Sequence, residues 1–236
     1  NTSDIVTVKM DSEGNVIWEN HNEGSGLKNV TGIKCGSGGN VYLAGTFNGT
    51  IDFDPSPNVF LNFSSVTYGK SDFFVQKLTS DGSLAMIKKF GGQEDDYCIG
   101  LGLDDAENIY LAGSFSGNLE FMDGTGNAIS LSAVELNQYV LKLNPEGNFL
   151  WVEQLESSQV NISGILVEKN GDNFISGNFA GIFDFDPGSQ VVSLHAGFQS
   201  NQLFIRQLNS DGNFKWVYHS EGDRDVFSTG LCKGAE

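Results

Sequence analysis

The sequence has few of the residues that stabilise or anchor several common classes of protein. Its 236 residues include only three cysteines and four prolines. Cys35, Cys98 and Cys232 are too few for a disulfide framework, and we expect them to be small buried apolar residues. No apolar run approaches the ~20 residues of a membrane-spanning helix. No basic segment is followed by an apolar stretch, so the sequence predicts no signal peptide. The absences argue against a disulfide-rich domain and against membrane insertion.

Basic residues are also scarce. Thirteen lysines and arginines stand against 30 aspartates and glutamates, which gives a formal net charge of −17. Nucleic acids and anionic membranes bind to clustered Lys and Arg, and the sequence has no such cluster. We therefore expect no nucleic-acid partner. The acidity is consistent either with solubility alone or with the binding of a cation.

Residues that carry common catalytic chemistry do not form a pattern. The three histidines, His21, His195 and His219, do not recur in any motif. Nucleophilic catalysis needs a general base that a third group orients, and no such arrangement is visible. A phosphate-binding glycine loop and the spacing of a zinc site are absent as well. The sequence therefore predicts no catalytic residue.

Glycine is abundant, with 30 residues, and it belongs to a repeat. A segment that reads Asn-Val-Tyr-Leu-Ala-Gly-Thr-Phe at 40–47 returns, with changes, at 108–115 and at 173–179. The period is about 65 residues, and a strand-like repeat of this length is one supersecondary unit that cannot bury its apolar face alone. Each unit must therefore stack against its neighbours.

Each repeat contains four strand-like segments. In the second repeat, the first alternates small with apolar residues at 99–103, which suits a strand whose backbone packs closely against its neighbours. The second is the segment at 108–115, and the third and fourth lie at 138–143 and 148–151. An acidic residue followed by glycine separates the third from the fourth and indicates a hairpin, because glycine accepts positive φ. The four such pairs are Glu13-Gly14, Asp81-Gly82, Glu146-Gly147 and Asp211-Gly212.

Four antiparallel strands per repeat, with no sustained helical period, predict an all-β fold and are typical of a β-propeller blade. Three full blades of about 65 residues would be flanked by partial blades at both ends, the last holding most of a first strand at 226–231. Closing the ring would give a four-bladed propeller that lacks one strand. We favour an arc cut from a larger propeller, whose end sheets pair with further chain or with another copy. The predicted boundaries are 1–26, 27–96, 97–159, 160–223 and 224–236.

The repeat resembles the bacterial β-propeller repeat family known as SBBP. Its units also combine a glycine-asparagine turn, a tyrosine-valine-glycine strand, an aspartate-phenylalanine-valine-lysine-leucine strand, an aspartate-glycine hairpin and a tryptophan-rich strand. The resemblance covers nearly the whole chain, and the Asp-Phe-Asp-Pro inserts at 52–55 and 184–187 are similar to those of large secreted surface proteins of gliding or surface-colonising bacteria. It implies an extracellular or cell-surface location, a binding or scaffolding role and no catalytic site.

The Asp-Phe-Asp-Pro motif is the sharpest candidate for a metal site. Alternate aspartates on a strand point to the same side, so each motif offers two carboxylates that, with loop carbonyls, are suited to Ca²⁺. The alternative is that the phenylalanine faces inward, while the aspartates face water and begin a turn. The middle repeat departs from the motif with Glu-Phe-Met-Asp-Gly at 120–124. The candidate calcium ligands are Asp52, Asp54, Asp184 and Asp186.

Trp18, Trp151 and Trp216 occupy equivalent places in the fourth strands. A row of exposed tryptophans would suit glycan binding. At a fixed register of a repeat, however, tryptophan more often packs between neighbouring units. We therefore predict that these side chains lie between blades.

Together these patterns predict a non-enzymatic module for adhesion, structural scaffolding, or protein or glycan binding. The extra length of each repeat lies between its second and third strands and predicts an added hairpin or long loop. We expect the binding surface there, near 48–70, 116–137 and 180–200, because loops on a rigid scaffold carry function. Further copies of the chain are candidate partners, and no cofactor other than calcium is expected. The alternative is a fragment of a propeller-type glycoside hydrolase or lyase whose active site lies partly outside this chain.

Overall fold

The fold is all-β, with 57% of residues in strands. The structure is a computed structural model that describes residues 3–56, 59–123, 125–186, 188, 190–197, 200–222 and 224–234. Over these ranges the chain contains no α-helix, and therefore none of a length and hydrophobicity that would cross a bilayer. The predicted all-β class and the predicted absence of helices are confirmed over these ranges.

Within the described residues, fourteen of the strands form four successive antiparallel sheets, and the other four form two separate hairpins in the inserts. Sheet 1 contains β1 (Ile5–Met10) and β2 (Val16–Asn22). The next repeat runs β3 (Lys28–Cys35), β4 (Val41–Phe47), an insert hairpin of β5 (Thr50–Asp52) and β6 (Asn62–Ser64), β7 (Asp72–Leu78) and β8 (Leu84–Phe90). Sheet 2 consists of β3, β4, β7 and β8 in that order.

Sheets 3 and 4 repeat this order. Sheet 3 contains β9 (Tyr97–Leu103), β10 (Ile109–Met122), β11 (Ala128–Leu143) and β12 (Phe149–Leu155). The last repeat runs β13 (Val160–Val167), β14 (Asn173–Phe179), an insert hairpin of β15 (Ile182–Asp184) and β16 (Ser193–His195), β17 (Gln202–Leu208) and β18 (Phe214–His219). Sheet 4 consists of β13, β14, β17 and β18. The added hairpin is therefore present in two repeats, whereas in sheet 3 the second and third strands simply continue into the insert.

A tight turn joins the last two strands of each of these four sheets. In the first of these turns, Asp11 Oδ1 accepts hydrogen bonds from the backbone N–H groups of Glu13 and Asn15. The side-chain and backbone hydrogen bonds of Asn15 favour the carboxylate and lower the pKa of Asp11. The predicted acidic-glycine hairpins are confirmed, because each glycine has a positive φ: Gly14 at 86°, Gly82 at 88°, Gly147 at 76° and Gly212 at 83°.

Consecutive sheets pack face to face, and each contact encloses a separate hydrophobic core. Ile5 of sheet 1 shares the first core with Phe74 of sheet 2. Phe73, on the opposite face of sheet 2, stacks on Tyr139 of sheet 3 with ring centroids 5.0 Å apart. Val140 of sheet 3 belongs to the core that sheets 3 and 4 share. Alternation along the third strands thus supplies one residue to the preceding core and the next residue to the following core.

The first strands of neighbouring sheets lie side by side, and glycine permits the close approach. A β-carbon added at Gly32 of β3 would lie 2.6 Å from Leu101 Cβ of β9. One added at Gly100 of β9 would lie 2.8 Å from Ile165 Cγ2 of β13. Both distances are shorter than carbon atoms tolerate, so the small residues predicted to permit close backbone packing do so here.

The segment 226–231, predicted to hold most of a first strand, is not a strand. It still lies beside sheet 4, since the Val226 N–H donates to the carbonyl of Asn201 at 2.8 Å. A β-carbon on Gly164 of β13 would lie 3.7 Å from Gly230 Cα. A first strand pairs with the second strand of its own sheet, and these 236 residues contain no such partner for the segment. The strand prediction is therefore wrong for this stretch.

The cysteines behave in two ways. Cys98 is buried as expected, and burial raises the pKa of its thiol to about 11. Cys35 and Cys232 are exposed, so the expectation of burial is wrong for both. Cys35 is the last residue of β3 and precedes the 3₁₀ turn Ser37–Gly39, where the chain has left the packed part of the sheet.

Candidate functional site

The inserts between second and third strands expose apolar side chains to solvent. Tyr68 in the first insert and Val134 in the second are fully exposed. A contiguous exposed apolar patch marks an interaction site. The exposed apolar residues of the three predicted loops are Val59, Phe60, Val66, Tyr68, Met122, Val134, Leu136, Ile182 and Val191.

Three clefts meet where the inserts of sheets 3 and 4 approach each other. Their volumes are about 790, 600 and 430 Å³. The two larger clefts share Ser158 and Gln159, and the two smaller ones share Gln154 and Glu156. Ile182 lines both the largest and the smallest. We call this continuous region, formed mainly by residues 132–137, 153–159 and 178–186, the insert surface.

A buried ion pair lines the smallest cleft. The Arg206 guanidinium of β17 donates through Nη2 to Glu153 Oε1 of β12, so the pair joins sheets 3 and 4. Arg206 is only 1% exposed. Its Nε and Nη1, and Glu153 Oε2, have no hydrogen-bond partner within the described ranges. Burial raises the pKa of Glu153, and the charge of Arg206 opposes that rise. The cleft thus holds a largely buried cation and carboxylate with unused polar atoms.

Asp184 and Asp186 line the same cleft. Asp184 Oδ1 accepts the backbone N–H groups of Asp186 and Val192, at 3.1 and 2.8 Å. Asp186 Oδ1 accepts the N–H of Gly188 at 2.8 Å. Phe185, between them, is buried. One oxygen of each carboxylate therefore holds the loop that follows β15, and Pro187 lies outside the described residues.

The first copy of the motif has the same arrangement. Asp52 Oδ1 accepts the N–H groups of Asp54 and Leu61, and Asp54 Oδ1 accepts that of Ser56 at 2.9 Å. Phe53 is fully buried. The alternative interpretation, an inward phenylalanine with aspartates that shape a turn, accounts for the contacts at both sites. Within the described residues no three His, Cys, Asp or Glu side chains are grouped to hold a metal ion, and calcium binding stays a prediction.

The middle repeat shapes its insert differently. Asp123 Oδ1 accepts hydrogen bonds from the N–H groups of Thr125 and Asn127, which closes the turn between β10 and β11. Thr125 and Asn127 lower the pKa of Asp123 strongly. Phe121 is buried like the phenylalanine of the other two motifs. Gly124 lies outside the described residues.

Two buried carboxylates were not predicted, one at the start of β7 and one just before β9. Asp72 Oδ2 accepts from Lys89 Nζ at 2.9 Å, and Asp96 Oδ2 accepts from the Gly92 N–H at 2.7 Å. Both Oδ1 atoms are buried without a hydrogen-bond partner in the described part of the chain. Burial, with a contribution from the charge of Asp72, raises the pKa of Asp96 to about 7. Asp96 therefore holds its proton close to neutral pH.

Glu107 links sheets 2 and 3 from a strained position, since its φ of 60° is the one positive value found for a residue other than glycine in the described ranges. Its carboxylate accepts from Tyr42 Oη at 2.6 Å, from Ser37 Oγ at 2.7 Å and from Lys77 Nζ at 3.3 Å. Burial would raise its pKa, but these hydrogen bonds outweigh it and lower the pKa to about 2. The residue is a structural link rather than a reactive acid.

The tryptophans of sheets 1 and 3 lie between sheets, as predicted. Trp18 Nε1 donates to the carbonyl of Ser80 at 3.1 Å, and Trp151 Nε1 donates to that of Ser210 at 3.0 Å. Trp216 of the last sheet has no following sheet in the chain and is 41% exposed. The packing prediction holds for two of the three tryptophans.

The comparisons with known proteins add no family assignment. A scan against protein-family models found no match. A search of the curated proteins found none either.

Proposed function

We propose that this chain is a non-enzymatic, secreted or cell-surface module that binds a protein or a glycan through its insert surface. Its sheets would be blades of a β-propeller, with boundaries at 27–96, 97–159 and 160–223 for the full blades. The order of strands in each sheet, the face-to-face packing and the adjacent first strands support that architecture. The extracellular location rests on the resemblance of the repeat to the SBBP family.

The observation that carries the proposal is the set of three joined clefts beside exposed apolar side chains. Ligand sites are concave, largely apolar and provided with a few polar groups that orient the ligand. The insert surface has Val134 and Ile182 on its rim and Glu156 between two of its clefts. Hydroxyl-rich or peptide ligands would use such carboxylates as acceptors while the apolar rim excludes water.

A glycan array probed with the labelled chain tests the proposal directly. Val134→Asp and Ile182→Asp place charge on the exposed rim. We expect each to lower the affinity for a captured glycan by about tenfold. Leu150→Asp is the matched control, because Leu150 is an exposed apolar residue of β12 outside the insert surface, and binding should not change. Equal binding by all three variants would contradict the assignment of the surface. If no glycan is captured, the same variants are compared against surface proteins in a pull-down.

A glycoside hydrolase fragment is the second candidate, because one cleft combines a carboxyl of raised pKa with further carboxylates. Glu153 is the candidate acid, with Asp184 and Asp186 in the same cleft. Glycoside hydrolysis uses one protonated and one ionised carboxyl group. If the chain hydrolyses any polysaccharide and Glu153→Gln abolishes that activity, this candidate is favoured and the non-enzymatic proposal is overturned.

Calcium remains a proposed ligand of the two Asp-Phe-Asp-Pro loops. If it binds there, chelation should lower the melting temperature, since a ligand of the folded state stabilises it. The pair Asp52→Asn and Asp54→Asn should remove part of that response. A melting temperature that is the same with chelator and with added calcium would end the proposal.

A further inference from the structure

The smallest cleft of the insert surface, of about 430 Å³, combines a buried floor with an exposed rim. The floor contains Glu153 and Arg206, which are 8% and 1% exposed. The rim contains the exposed carboxylates of Glu156 and Asp184, with the half-buried Asp186 beside them. The floor therefore carries one charge of each sign, whereas the charged groups of the rim are all acidic.

The floor also has hydrogen-bonding capacity that the chain does not use. Within the described residues, ten buried side-chain nitrogen and oxygen atoms have no hydrogen-bond partner, and three of them belong to this pair: Glu153 Oε2, Arg206 Nε and Arg206 Nη1. A buried donor or acceptor that stays unsatisfied is costly to a folded protein. The pair therefore favours a ligand that brings both an acceptor and a donor to the floor of the cleft.

The same register has a different use in sheet 2. Gln76 occupies in β7 the place that Arg206 occupies in β17. Its Nε2 donates to the carbonyl of Phe53 at 2.8 Å and so holds the first insert. Among the described residues, the one hydrogen bond of the Arg206 side chain goes instead to Glu153 of the neighbouring sheet. The guanidinium therefore does not hold its own insert by a hydrogen bond, and two of its nitrogen atoms stay available.

The charges of the cleft restrict the class of ligand. An anion beside Arg206 would also meet Glu153 and the acidic rim, and a cation beside Glu153 would meet Arg206. Contacts between like charges oppose binding. A neutral group that both donates and accepts hydrogen bonds avoids both penalties, and the hydroxyl group has this property. At the rim, ionised carboxylates only accept, so a ligand must bring donors there.

We propose that this cleft binds a neutral sugar residue of a glycan through a pair of adjacent hydroxyl groups. One hydroxyl would donate to Glu153 Oε2, while the other accepts from Arg206 Nε or Nη1. Further hydroxyls would donate to Asp184 and Asp186 at the rim. The inference rests on the proposed function, because it names the class of ligand that the insert surface takes.

The apolar part of the cleft also suits a sugar ring. Phe183 and Ile182 line the cleft and offer a surface for the C–H groups of the ring. A peptide fits less well, because half of its backbone groups are carbonyls, which cannot pair with carboxylates that only accept. Among the ligands of the proposed function, a neutral glycan therefore matches both the floor and the rim.

A glycan array that carries neutral hexose oligosaccharides beside uronate-containing and sulfated ones tests the class of ligand. We expect the chain to capture neutral glycans and to bind acidic ones at least about tenfold more weakly. A preference for acidic glycans would overturn the inference and leave the proposed function standing. Capture of no glycan at all would also overturn it, and the proposed function would then depend on a protein partner alone.

The two copies of the insert motif provide a matched pair of variants for titration calorimetry with a captured neutral glycan. Asp186→Asn keeps an oxygen that can accept the Gly188 N–H but removes the charge from the cleft. We expect the affinity to fall about tenfold, because a charged acceptor is lost. Asp54→Asn makes the same change outside the cleft, where Asp54 Oδ1 accepts the Ser56 N–H, and the affinity should not change. Equal affinities for both variants and the wild type would contradict the assignment of the site.

The floor is tested by the double variant Glu153→Leu with Arg206→Met, which replaces the ion pair by apolar side chains of similar size. The affinity for the same glycan should fall by about thirtyfold or more. A melting temperature close to that of the wild type shows that the variant is folded, and a folded variant that binds as tightly as the wild type overturns the proposal. If the double variant does not fold, the comparison of Asp186→Asn with Asp54→Asn decides.

Discussion

The contacts between sheets inside the chain and the faces at its two ends are built from equivalent residues but differ in exposure. Trp18 and Trp151 donate to the carbonyls of the next turn, whereas Trp216 lies at the same register with no sheet beyond it. Added β-carbons on Gly32 and Gly100 would lie within 2.8 Å of the next first strand, whereas one on Gly164 would have no described atom closer than 3.4 Å. The difference shows that the exposure of a repeat position depends on the neighbour that covers it.

The largest expected effect concerns the charged contact between sheets 3 and 4. Arg206→Met removes the cation and leaves Glu153 buried without its partner, so the free energy of unfolding should fall by about 4 kcal/mol. Replacing both residues, Glu153→Leu with Arg206→Met, should recover most of that loss, because apolar pairs of similar size often replace buried ion pairs without net cost. Urea unfolding measures both. A double variant as unstable as the single one would show that the pair itself stabilises this contact.

The tryptophans compare an internal contact with an end face directly. Trp151→Ala removes a ring packed on Gly212 and a hydrogen bond to Ser210, and we expect a loss of about 3 kcal/mol. Trp216→Ala, measured in dilute solution, should change stability by less than about 0.5 kcal/mol, because the ring is exposed. Thermal and urea unfolding of the two variants test the comparison. Losses of equal size would mean that the end face is covered even in the monomer.

Equivalent glycines in the first strands of sheets 2 and 4 give a further comparison between an internal contact and the last sheet. Gly32→Ala would place a carbon 2.6 Å from Leu101 Cβ, an atom that moves only with the backbone. We therefore expect the free energy of unfolding to fall by about 2 kcal/mol. Gly164→Ala has its nearest neighbour, Ser176 Oγ, at 3.4 Å and should be nearly neutral. Neither glycine has a positive φ, so the two variants differ in packing alone. A harmless Gly32→Ala substitution would contradict the close packing of β3 and β9.

A smaller effect depends on pH. Because the pKa of Asp96 is raised to about 7, the folded chain keeps a proton that the unfolded chain releases above its ordinary pKa of 3.8. The contribution of Asp96 to the free energy of unfolding therefore falls as the pH rises from about 4 to about 7. Asp96→Asn should remove this loss and be more stable than the wild type by about 1 kcal/mol at pH 8. Urea unfolding at pH 5 and pH 8 measures it.

The neighbouring carboxylate provides the control for that experiment. Burial acts to raise the pKa of Asp95, but the hydrogen bonds from Lys70 and Ser71 outweigh it, and the pKa is lowered. Asp95 therefore contributes stability above its unfolded pKa, and Asp95→Asn should be slightly less stable than the wild type at pH 8. If both variants change stability in the same direction at pH 8, the assignment of opposite environments is wrong.

The sequence predicts the features that are local in the chain. Each hairpin glycine adopts the positive φ that its turn requires, and the alternation along β7 reports which residues enter which core. The insert phenylalanines, Phe53 and Phe185, are buried as one of the two interpretations of their motif requires. Signals of this kind lie within a few neighbouring residues, and the repeat presents each of them several times.

The unpredicted features join residues that are distant in sequence and unique to one repeat. Arg206 and Glu153 are 53 positions apart, and sheet 2 has Gln76 where sheet 4 has Arg206, so no recurring pattern marks the pair. Asp96 occurs where the other four-stranded sheets have Lys28 and Val160. Such differences at a shared register are the available signal, since a charge that its counterparts do not carry points to an environment found in one repeat alone.

Hydroxyl-radical labelling of the three tryptophans, read residue by residue in a mass spectrometer, tests the contrast between internal contacts and end faces most directly. In dilute solution we expect Trp216 to be oxidised faster than Trp18 and Trp151. Equal labelling of all three tryptophans in dilute solution would contradict the account.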